Sequence, residues 1–185
     1  MSYPFSFFSI IKENIYFLSH RIFWLALLIP SNSLRIFFLK ITGAKIGKNV
    51  SILSNVKIIA PWNLTIGMNS TINSNSIIDC RGKINIGSNT MIGRNVSIHS
   101  VGHSYNDPHF SYKKGIVTIE KGAIIYPYCF IGPNIKIGEF SVVLPNSWVN
   151  KNINKNEIVS GNPAKKIGIS KGYLYSHYNP SIFGL

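Results

Sequence analysis

Side chains that could carry out acid–base or metal chemistry are concentrated in one short stretch of the sequence. Three of the five histidines, His99, His103 and His109, fall within it, and Asp107 lies between the last two. A histidine titrates near neutral pH, so on a positioned loop it can act as a general base that takes the proton of a hydroxyl group. Three histidines can instead ligate zinc. The elements that hold this stretch decide between these possibilities.

The composition indicates a folded, strongly basic protein. The chain has 185 residues, with 19 Lys and Arg against 6 Asp and Glu, which gives a net charge of +13. Hydrophobic residues make up 45%, too many for a disordered polycation, so the charge must lie on a folded surface that meets an anionic partner. A phosphorylated cofactor, anionic lipid and nucleic acid are the candidates. Nucleic acid is disfavoured, because the basic residues are scattered and not interleaved with aromatic residues on one face.

The two cysteines predict no chemistry. Cys80 and Cys129 are too few for a disulfide framework or a zinc site, and we expect both to fill the core. No transmembrane helix is expected either, because the longest uncharged run near the N-terminus, 22–33, is shorter than the roughly 20 residues that span a bilayer.

An internal repeat organises most of the chain. The motif Ile-Gly-x-Asn begins at Ile46, Ile66 and Ile86, at intervals of 20 residues. Between these motifs, aliphatic residues recur at every sixth position, and the same step resumes after an interruption. The full series is Ile46, Ile52, Ile58, Leu64; Ile66, Ile72, Ile78, Ile84; Ile86, Ile92, Ile98; and Ile119, Ile125, Ile131, Ile137, Val143, Val149.

A period of six fits neither an amphipathic helix nor an ordinary hairpin strand. It predicts a triangular solenoid in which each face is a short parallel strand and each corner is a tight turn. Three positions after the aliphatic residue, the chain has residue types that tolerate a positive φ: Asn49, Asn55, Asn69, Asn75, Asn89, Asn95, Gly122, Asn134, Asn146 and Asn152. One position later come residues small enough to point inward: Val50, Ser70, Thr90, Val96, Ala123, Cys129, Ser141 and Ser147.

The solenoid divides the chain into three parts. Residues 1–42 form an apolar segment with one or two short helices, which caps the first coil, lies on a membrane surface, or does both. Residues 43–153 form the solenoid itself, with an expelled loop at 99–116 that contains the histidines. Residues 154–185 form a C-terminal tail.

Five motifs resemble those of a known family. The hexapeptide repeats, the histidine loop and the tail Val159-Ser160-Gly161-Asn162-Pro163-Ala164-Lys165 are similar to the left-handed β-helix acyltransferases. The segments Leu39-Lys40-Ile41-Thr42-Gly43-Ala44-Lys45-Ile46-Gly47, Pro61-Trp62-Asn63-Leu64-Thr65-Ile66-Gly67 and His103-Ser104-Tyr105-Asn106-Asp107-Pro108-His109-Phe110 are similar to the branch of colanic acid biosynthesis acetyltransferases. The resemblance implies an all-β fold with a left-handed parallel β-helix and O-acetylation of a sugar in a surface polysaccharide or its lipid-linked precursor.

The resemblance also implies roles for individual residues. The pair Gly102-His103 falls where related galactoside and maltose acetyltransferases have the general base, which makes His103 the candidate catalyst. Asp107 is a candidate for orienting its imidazole, although a backbone carbonyl could do so. Asn73, Asp79 and Tyr105 are candidates for binding the acceptor. Where many relatives have an acidic residue after the catalytic histidine, this chain has Ser104.

Acetyl-CoA is the implied co-substrate, with no metal. Its phosphates need cations, and the candidates are Lys113 and Lys114 in the loop and Lys165 and Lys166 in the tail. With Tyr126 and Asn162, they make up the expected cofactor-binding set, which is Lys113, Lys114, Tyr126, Asn162, Lys165 and Lys166.

The implied assembly is a homotrimer with a site between neighbouring solenoids. A saccharide acceptor, a cytoplasmic location and contact with the inner face of the membrane complete the expectation. Two alternatives stay open on the sequence alone, a zinc enzyme like the γ-type carbonic anhydrases and a non-catalytic β-helix scaffold.

Overall fold

The computed structural model describes residues 31–104 and 106–173. The described part of the chain begins with helix α1 (Asn32–Ile41), and a left-handed parallel β-helix of about six turns follows. No helix within these two ranges is long and apolar enough to cross a membrane. Residues 1–30 of the expected N-terminal segment, Tyr105 and residues 174–185 of the tail lie outside the described residues.

Three parallel sheets form the faces of the solenoid, and we call them faces A, B and C. Face A contains β1 (Lys45–Ile46), β4 (Leu64–Ile66), β7 (Lys83–Ile86), β12 (Ile116–Ile119) and β15 (Lys136–Ile137). Face B contains β2 (Ser51–Ile52), β5 (Thr71–Ile72), β8 (Met91–Ile92), β13 (Ile124–Ile125), β16 (Val142–Val143), β18 (Glu157–Ser160) and the antiparallel β19 (Lys165–Ile169). Face C contains β3 (Lys57–Ile59), β6 (Ile77–Asp79), β9 (Ser97–His99), β14 (Phe130–Ile131) and β17 (Trp148–Val149). A separate antiparallel pair, β10 (Val101–His103) and β11 (Tyr112–Lys114), projects from the solenoid.

The aliphatic residue of each hexapeptide points into the solenoid and fills its core. Along face B, Ile52, Ile72, Ile92 and Ile125 stack in register, and each side chain is fully buried. The small residues four positions after each aliphatic residue are buried as well. Both cysteines lie in this core, where burial raises the pKa of each thiol.

Asparagines at the corners adopt the left-handed backbone conformation that the tight turns need. Asn69, for example, has φ 56°, and its side chain links those of Asn49 and Asn89 through hydrogen bonds of 3.2 and 3.3 Å. All but one of the predicted corner residues have a positive φ. The exception is Asn152, whose side chain accepts a hydrogen bond from the Lys136 N–H at 2.8 Å.

The corner between faces C and A is longer than the other two corners in the first three coils. In the first coil it holds the 3₁₀ turn Pro61–Asn63, and in the second it holds residues 80–82. In the third coil the whole segment from Ser100 to Gly115 leaves the solenoid at this corner. The first coils repeat every 20 residues, which is two residues more than three hexapeptides. These two residues and the expelled loop are therefore insertions at the same corner of the fold.

The solenoid extends further than the repeat indicates. Strand β18 pairs in parallel with β16, so a sixth coil continues to Ser160. The expected boundary at residue 153 falls inside this coil, because Ile158 and Val159 continue face B although the six-residue step of aliphatic residues has ended. After a turn at residues 161–164, β19 folds back along β18 and closes the edge of face B.

Helix α1 covers the opposite end of the solenoid. Asn32 accepts a hydrogen bond from the Ile52 N–H at 2.9 Å and donates one to the Val50 carbonyl at 3.2 Å. Arg35 donates from Nε to the Ile52 carbonyl at 2.8 Å, and Leu39 enters the core. The side chains of the helix thus satisfy the free edge of β2, which would otherwise expose unpaired backbone groups.

Candidate active site

The expelled loop is anchored to the solenoid by a compact set of hydrogen bonds. The Gly115 N–H donates to the Ser100 carbonyl at 2.7 Å, which closes the base of the loop. The Ser100 hydroxyl donates to the Asp79 carbonyl at 2.6 Å and accepts from the Gly82 N–H at 2.9 Å. A Cβ at Gly82 would collide with the Gly115 carbonyl, so the absence of a side chain at residue 82 allows this close approach.

The loop itself is a hairpin that positions His103 opposite Tyr112. Its tip is organised by Asp107, whose carboxylate accepts a hydrogen bond from the His109 N–H at 2.9 Å. Hydrogen bonds from the Ser111 side chain and from the His109 backbone lower the pKa of Asp107. Asp107 therefore stabilises the turn of the hairpin.

The imidazole of His103 is fixed by Phe110 on both its edge and its face. Nδ1 lies 2.8 Å from the Phe110 carbonyl, and the two rings stack with centroids 4.5 Å apart and planes 5° apart. The ring of Tyr112 also contacts the imidazole, with the two ring centroids 5.4 Å apart. The backbone carbonyl of Phe110, and not Asp107, thus occupies the orienting position.

This arrangement determines which nitrogen of His103 can act as a base. A carbonyl oxygen only accepts hydrogen bonds, so Nδ1 must carry the proton in the neutral ring. Nε2 then has the free lone pair, and the side chain is exposed at the surface of the hairpin. An exposed ring nitrogen with a free lone pair is chemically able to accept the proton of a hydroxyl group.

Beneath the hairpin, a buried carboxylate is held by two basic side chains. Asp79 is only 1% exposed, and Arg81 binds it through Nε at 2.9 Å and Nη2 at 2.6 Å. Nδ1 of His99, one coil above, lies 3.7 Å from the same carboxylate. Burial alone would raise the pKa of Asp79, but the hydrogen bonds of His99 and Arg81 outweigh it and hold the pKa well below the ordinary value.

Arg81 connects this cluster to the hairpin. Its guanidinium carbon lies 5.8 Å from the centroid of the Tyr112 ring, and Tyr112 in turn contacts His103. A cation near an aromatic ring is attracted by the negative potential of the ring face. The contacts therefore run without a break from the buried Asp79 to the candidate base.

The candidates for acceptor binding are not grouped around His103. Each described one lies at another corner or already binds a protein group. Asn73 lies at the corner between faces B and C, where its amide donates to the Ile92 carbonyl at 2.8 Å. Tyr126, a candidate for binding the cofactor and not the acceptor, lies at the same corner of a later coil and is 39% exposed. Tyr105 lies outside the described residues. The Asp79 carboxylate is occupied by Arg81, so it contacts a ligand only through that arginine or after rearrangement.

The two lysine pairs are not brought together within one chain. Lys113 and Lys114 are exposed on β11 of the hairpin, at the corner between faces C and A. Lys165 and Lys166 lie on β19, at the last edge of face B, and Lys166 pairs with Glu157 at 3.2 Å. Asn162 is exposed in the turn between β18 and β19.

The sequence did not indicate a role at the site for Arg81, Phe110 or Tyr112, and it indicated His99 as a candidate base or zinc ligand but not as a partner of Asp79. The spacing of 20 residues between coils could have placed His99 directly above Asp79, because residues 20 apart stack in the first three coils. Phe110 and Tyr112 gave no such signal, because they meet His103 through a hairpin whose register the solenoid repeat does not determine. Among the described residues, no group of three His, Cys, Asp or Glu side chains could hold a metal ion.

The parallel β-helix with its expelled hairpin has the fold of the hexapeptide-repeat acetyltransferases. No protein-family model matches the chain. It is 33% identical over 130 residues to WcaF of Escherichia coli (strain K12), which carries the name of a colanic acid biosynthesis acetyltransferase; the match covers 70% of this chain and 71% of WcaF. The chain belongs to this family of acetyltransferases.

Solved structures agree on the fold. A hexapeptide-repeat-containing acetyltransferase from Vibrio cholerae O1 biovar eltor, complexed with acetyl coenzyme A, superposes with a TM-score of 0.78 at 20% identity and covers 86% of this chain and 90% of its own. A maltose O-acetyltransferase from Clostridium difficile 630 gives a TM-score of 0.76 at 24% identity and covers 91% of each chain. The expected fold is therefore confirmed by these structures, and the expected family is confirmed by the WcaF relative.

Proposed function

We propose that the chain is an acetyl-CoA-dependent O-acetyltransferase. Its acceptor is a sugar hydroxyl of an exopolysaccharide, capsule or O-antigen, or of the lipid-linked precursor, and His103 is the general base. The name of the WcaF relative supports a role in polysaccharide biosynthesis. The maltose O-acetyltransferase supports a sugar hydroxyl as the acceptor, and the complex of the Vibrio protein supports acetyl-CoA as the donor.

One observation carries the proposal, the hydrogen bond between His103 Nδ1 and the Phe110 carbonyl. It leaves Nε2 unprotonated and exposed, as direct attack by a hydroxyl group requires. As the acceptor oxygen bonds to the thioester carbonyl carbon, Nε2 takes the hydroxyl proton. The C–S bond then breaks, and the proton passes from His103 to the departing CoA thiolate. Neither buried cysteine is needed for an acyl intermediate.

Exposed lysines fit the phosphate groups of the donor. Lys113 and Lys114 extend from the hairpin that carries the base, and Lys165 is exposed on β19. The ion pairs of the described residues do not include any of these three lysines, so their charges are available to an anion. Bound acetyl-CoA would supply the activated acyl group, and a backbone N–H would stabilise the oxyanion that develops on it.

We further propose that the enzyme is a trimer with a site between neighbouring solenoids. The hairpin lysines and the tail lysines lie on different parts of one chain, whereas one CoA molecule needs cations along a single channel. A neighbouring copy that lies against the hairpin could supply the tail lysines or Tyr126. Analytical ultracentrifugation of the full chain tests this, and a monomer that is active at all concentrations would contradict it.

The experiment that tests the base compares two histidines of the same hairpin. Transfer of the acetyl group from acetyl-CoA to a panel of saccharides is followed by release of the free thiol, for the wild type, His103→Ala and His109→Ala. Removal of a general base lowers kcat by about 10² to 10⁴-fold, so we expect this loss for His103→Ala. His109 is exposed and only its backbone takes part in the turn, so His109→Ala should retain activity. Equal activities of the two variants would remove His103 from the mechanism.

A further inference from the structure

The end of the solenoid that helix α1 covers has an apolar outer surface. Leu34, Phe37 and Ile41 are spaced by three, four and seven residues, so they lie on one side of the helix. They are 46%, 56% and 66% exposed, whereas Arg35 and Leu39, on the other side, are buried against the first coil. The helix is thus apolar on the side that points away from the solenoid, which is unusual for a helix that faces water.

An aromatic residue of the first coil extends this surface. Trp62 is 51% exposed in the 3₁₀ turn, and its backbone lies against Gly43, just after the end of the helix. We call Leu34, Phe37, Ile41 and Trp62 the apolar end. Tryptophan favours the boundary between water and hydrocarbon, where its ring is buried and its N–H stays hydrated.

Lysines surround the apolar end. Lys40 is exposed on the helix, Lys45 on face A, Lys48 in the corner after it, and Lys57 on face C. No Asp or Glu occurs anywhere between residues 14 and 78, although the remainder of the chain carries all six acidic residues. The absence of acidic residues is therefore a property of this end and not of the whole protein.

We propose that the apolar end docks on an anionic lipid bilayer. The exposed side chains of α1 and Trp62 enter the headgroup region, and the surrounding lysines bind the lipid phosphates. Charge favours this partner over another copy of the chain, because two such ends carry the same positive charge and would repel each other.

Docking would place the candidate base close to the bilayer. The hairpin leaves the third coil, and neighbouring strands of a sheet are about 4.8 Å apart, so it lies about 10 Å along the axis from the first coil. An acceptor carried on a lipid would present its sugar at this height. This consequence rests on the proposed function, whereas the docking surface itself does not.

Cosedimentation of the full chain with vesicles tests the proposal. Phosphatidylcholine vesicles are compared with vesicles that also contain phosphatidylglycerol, at low and high salt. We expect binding only to the anionic vesicles and weaker binding at high salt, since salt screens the lysine charges. A lysine near an anionic surface strengthens binding about fivefold, so Lys40→Gln/Lys45→Gln/Lys48→Gln should bind about a hundredfold more weakly.

Two matched control variants distinguish binding by the apolar end from nonspecific binding through net charge or through other exposed apolar residues. Leu34→Ser/Phe37→Ser should lose at least about tenfold in binding, since two inserted side chains are removed. Ile167→Ser/Ile169→Ser removes apolar residues of similar exposure from β19 and should bind like the wild type. Lys121→Gln/Lys151→Gln/Lys171→Gln is the control for charge. Thermal unfolding of each variant shows that the fold is intact.

Three outcomes would overturn the proposal. The first is that the wild type binds neither kind of vesicle, which would indicate that residues 1–30 or other parts of the chain cover the apolar end. The second is that variants of the apolar end bind as tightly as the wild type. The third is that Leu34→Ser/Phe37→Ser changes the oligomeric state and leaves vesicle binding unchanged, which would identify a second copy as the partner. None of these results depends on acetyl transfer, so the proposed function could fail separately.

Discussion

Removal of Arg81 should destabilise the protein more than removal of the charge that it binds. In Arg81→Ala the Asp79 carboxylate stays buried at 1% exposure and loses the three hydrogen bonds from the guanidinium. It keeps the hydrogen bond from the backbone N–H of residue 81 at 3.3 Å. The contact with His99, at 3.7 Å, is longer and cannot replace them. In Asp79→Asn the buried group is neutral and can still accept a hydrogen bond from Arg81.

The expected magnitudes follow from the burial of the two partners. Breaking a fully buried ion pair costs about 3–5 kcal/mol, because one charge is left uncompensated. The Arg81 side chain is 44% exposed, so water already screens part of the pair, and about 2–3 kcal/mol is expected for Arg81→Ala. Asp79→Asn should cost about 1 kcal/mol, typical of a weakened hydrogen bond. The double variant should be more stable than Arg81→Ala alone.

The pH dependence of the free energy of unfolding gives a second, independent test of the pair between Asp79 and Arg81. In the wild type the pKa of Asp79 is below its unfolded value, so its contribution to stability is present above pH of about 4 and is lost as pH falls below that. Without the Arg81 guanidinium the pKa of Asp79 rises, since only His99 and the backbone N–H of residue 81 then oppose the effect of burial. Protonation then relieves the buried charge, so the difference in stability between the wild type and Arg81→Ala should narrow as pH falls from 7 toward 4.

Urea unfolding followed by circular dichroism measures these differences, with Lys83→Ala, an exposed neighbour, as the control. The reasoning is refuted if Arg81→Ala lies within about 0.5 kcal/mol of the wild type, which is the range of ordinary surface substitutions. It is equally refuted if Asp79→Asn proves more destabilising than Arg81→Ala at pH 7. Either result would mean that water or a rearranged side chain compensates the carboxylate.

Two further predictions concern the hairpin and the corners. Phe110→Ala keeps the carbonyl that orients His103 but removes the ring that stacks on it. Because the imidazole is then positioned less well, kcat should fall about tenfold, with KM for acetyl-CoA unchanged. If steady-state kinetics give the same kcat for the variant and the wild type, the stacked ring has no role in catalysis. Asn69→Ala loses two side-chain hydrogen bonds and places alanine at φ 56°, so about 2–3 kcal/mol of stability should be lost in urea unfolding. Asn69→Gly relieves only the backbone strain, so a glycine variant less stable than the alanine variant would contradict this account.

Much of the fold could be predicted because the solenoid repeats a local rule. Each hexapeptide contains one aliphatic residue that must be buried and one residue that must turn, so Ile52 and Asn55 specify a strand and a corner without reference to distant parts of the chain. The corners were predicted from Asn and Gly, so corners that are formed by other residue types were not predicted. Tyr128 and Phe140 adopt the left-handed conformation at corners although neither favours it. Their N–H groups donate to the Arg94 and Lys121 carbonyls of the preceding coil, each at 3.0 Å.

The site could be predicted only in part, because it is built from contacts that leave the repeat. His103 was identifiable by its position at the start of the interruption. Its partner was not, since whether Asp107 or a carbonyl reaches Nδ1 depends on the turn that closes the hairpin. The role of Arg81 was also hidden, because an arginine at a surface corner has the same sequence signature whether it contacts solvent or a buried carboxylate.

At the corner between faces C and A, the number of residues has almost no effect on the rest of the fold. β7 and β12 pair in register from Lys83↔Ile116 to Ile86↔Ile119, although the hairpin separates them in sequence. Closing a longer loop costs only about 0.6 kcal/mol for each doubling of its length. Evolution can therefore lengthen, shorten or replace the segment between Ser100 and Gly115 without altering any coil. A foreign loop grafted at this corner of another coil would therefore leave both the scaffold and the hairpin that carries His103 in place.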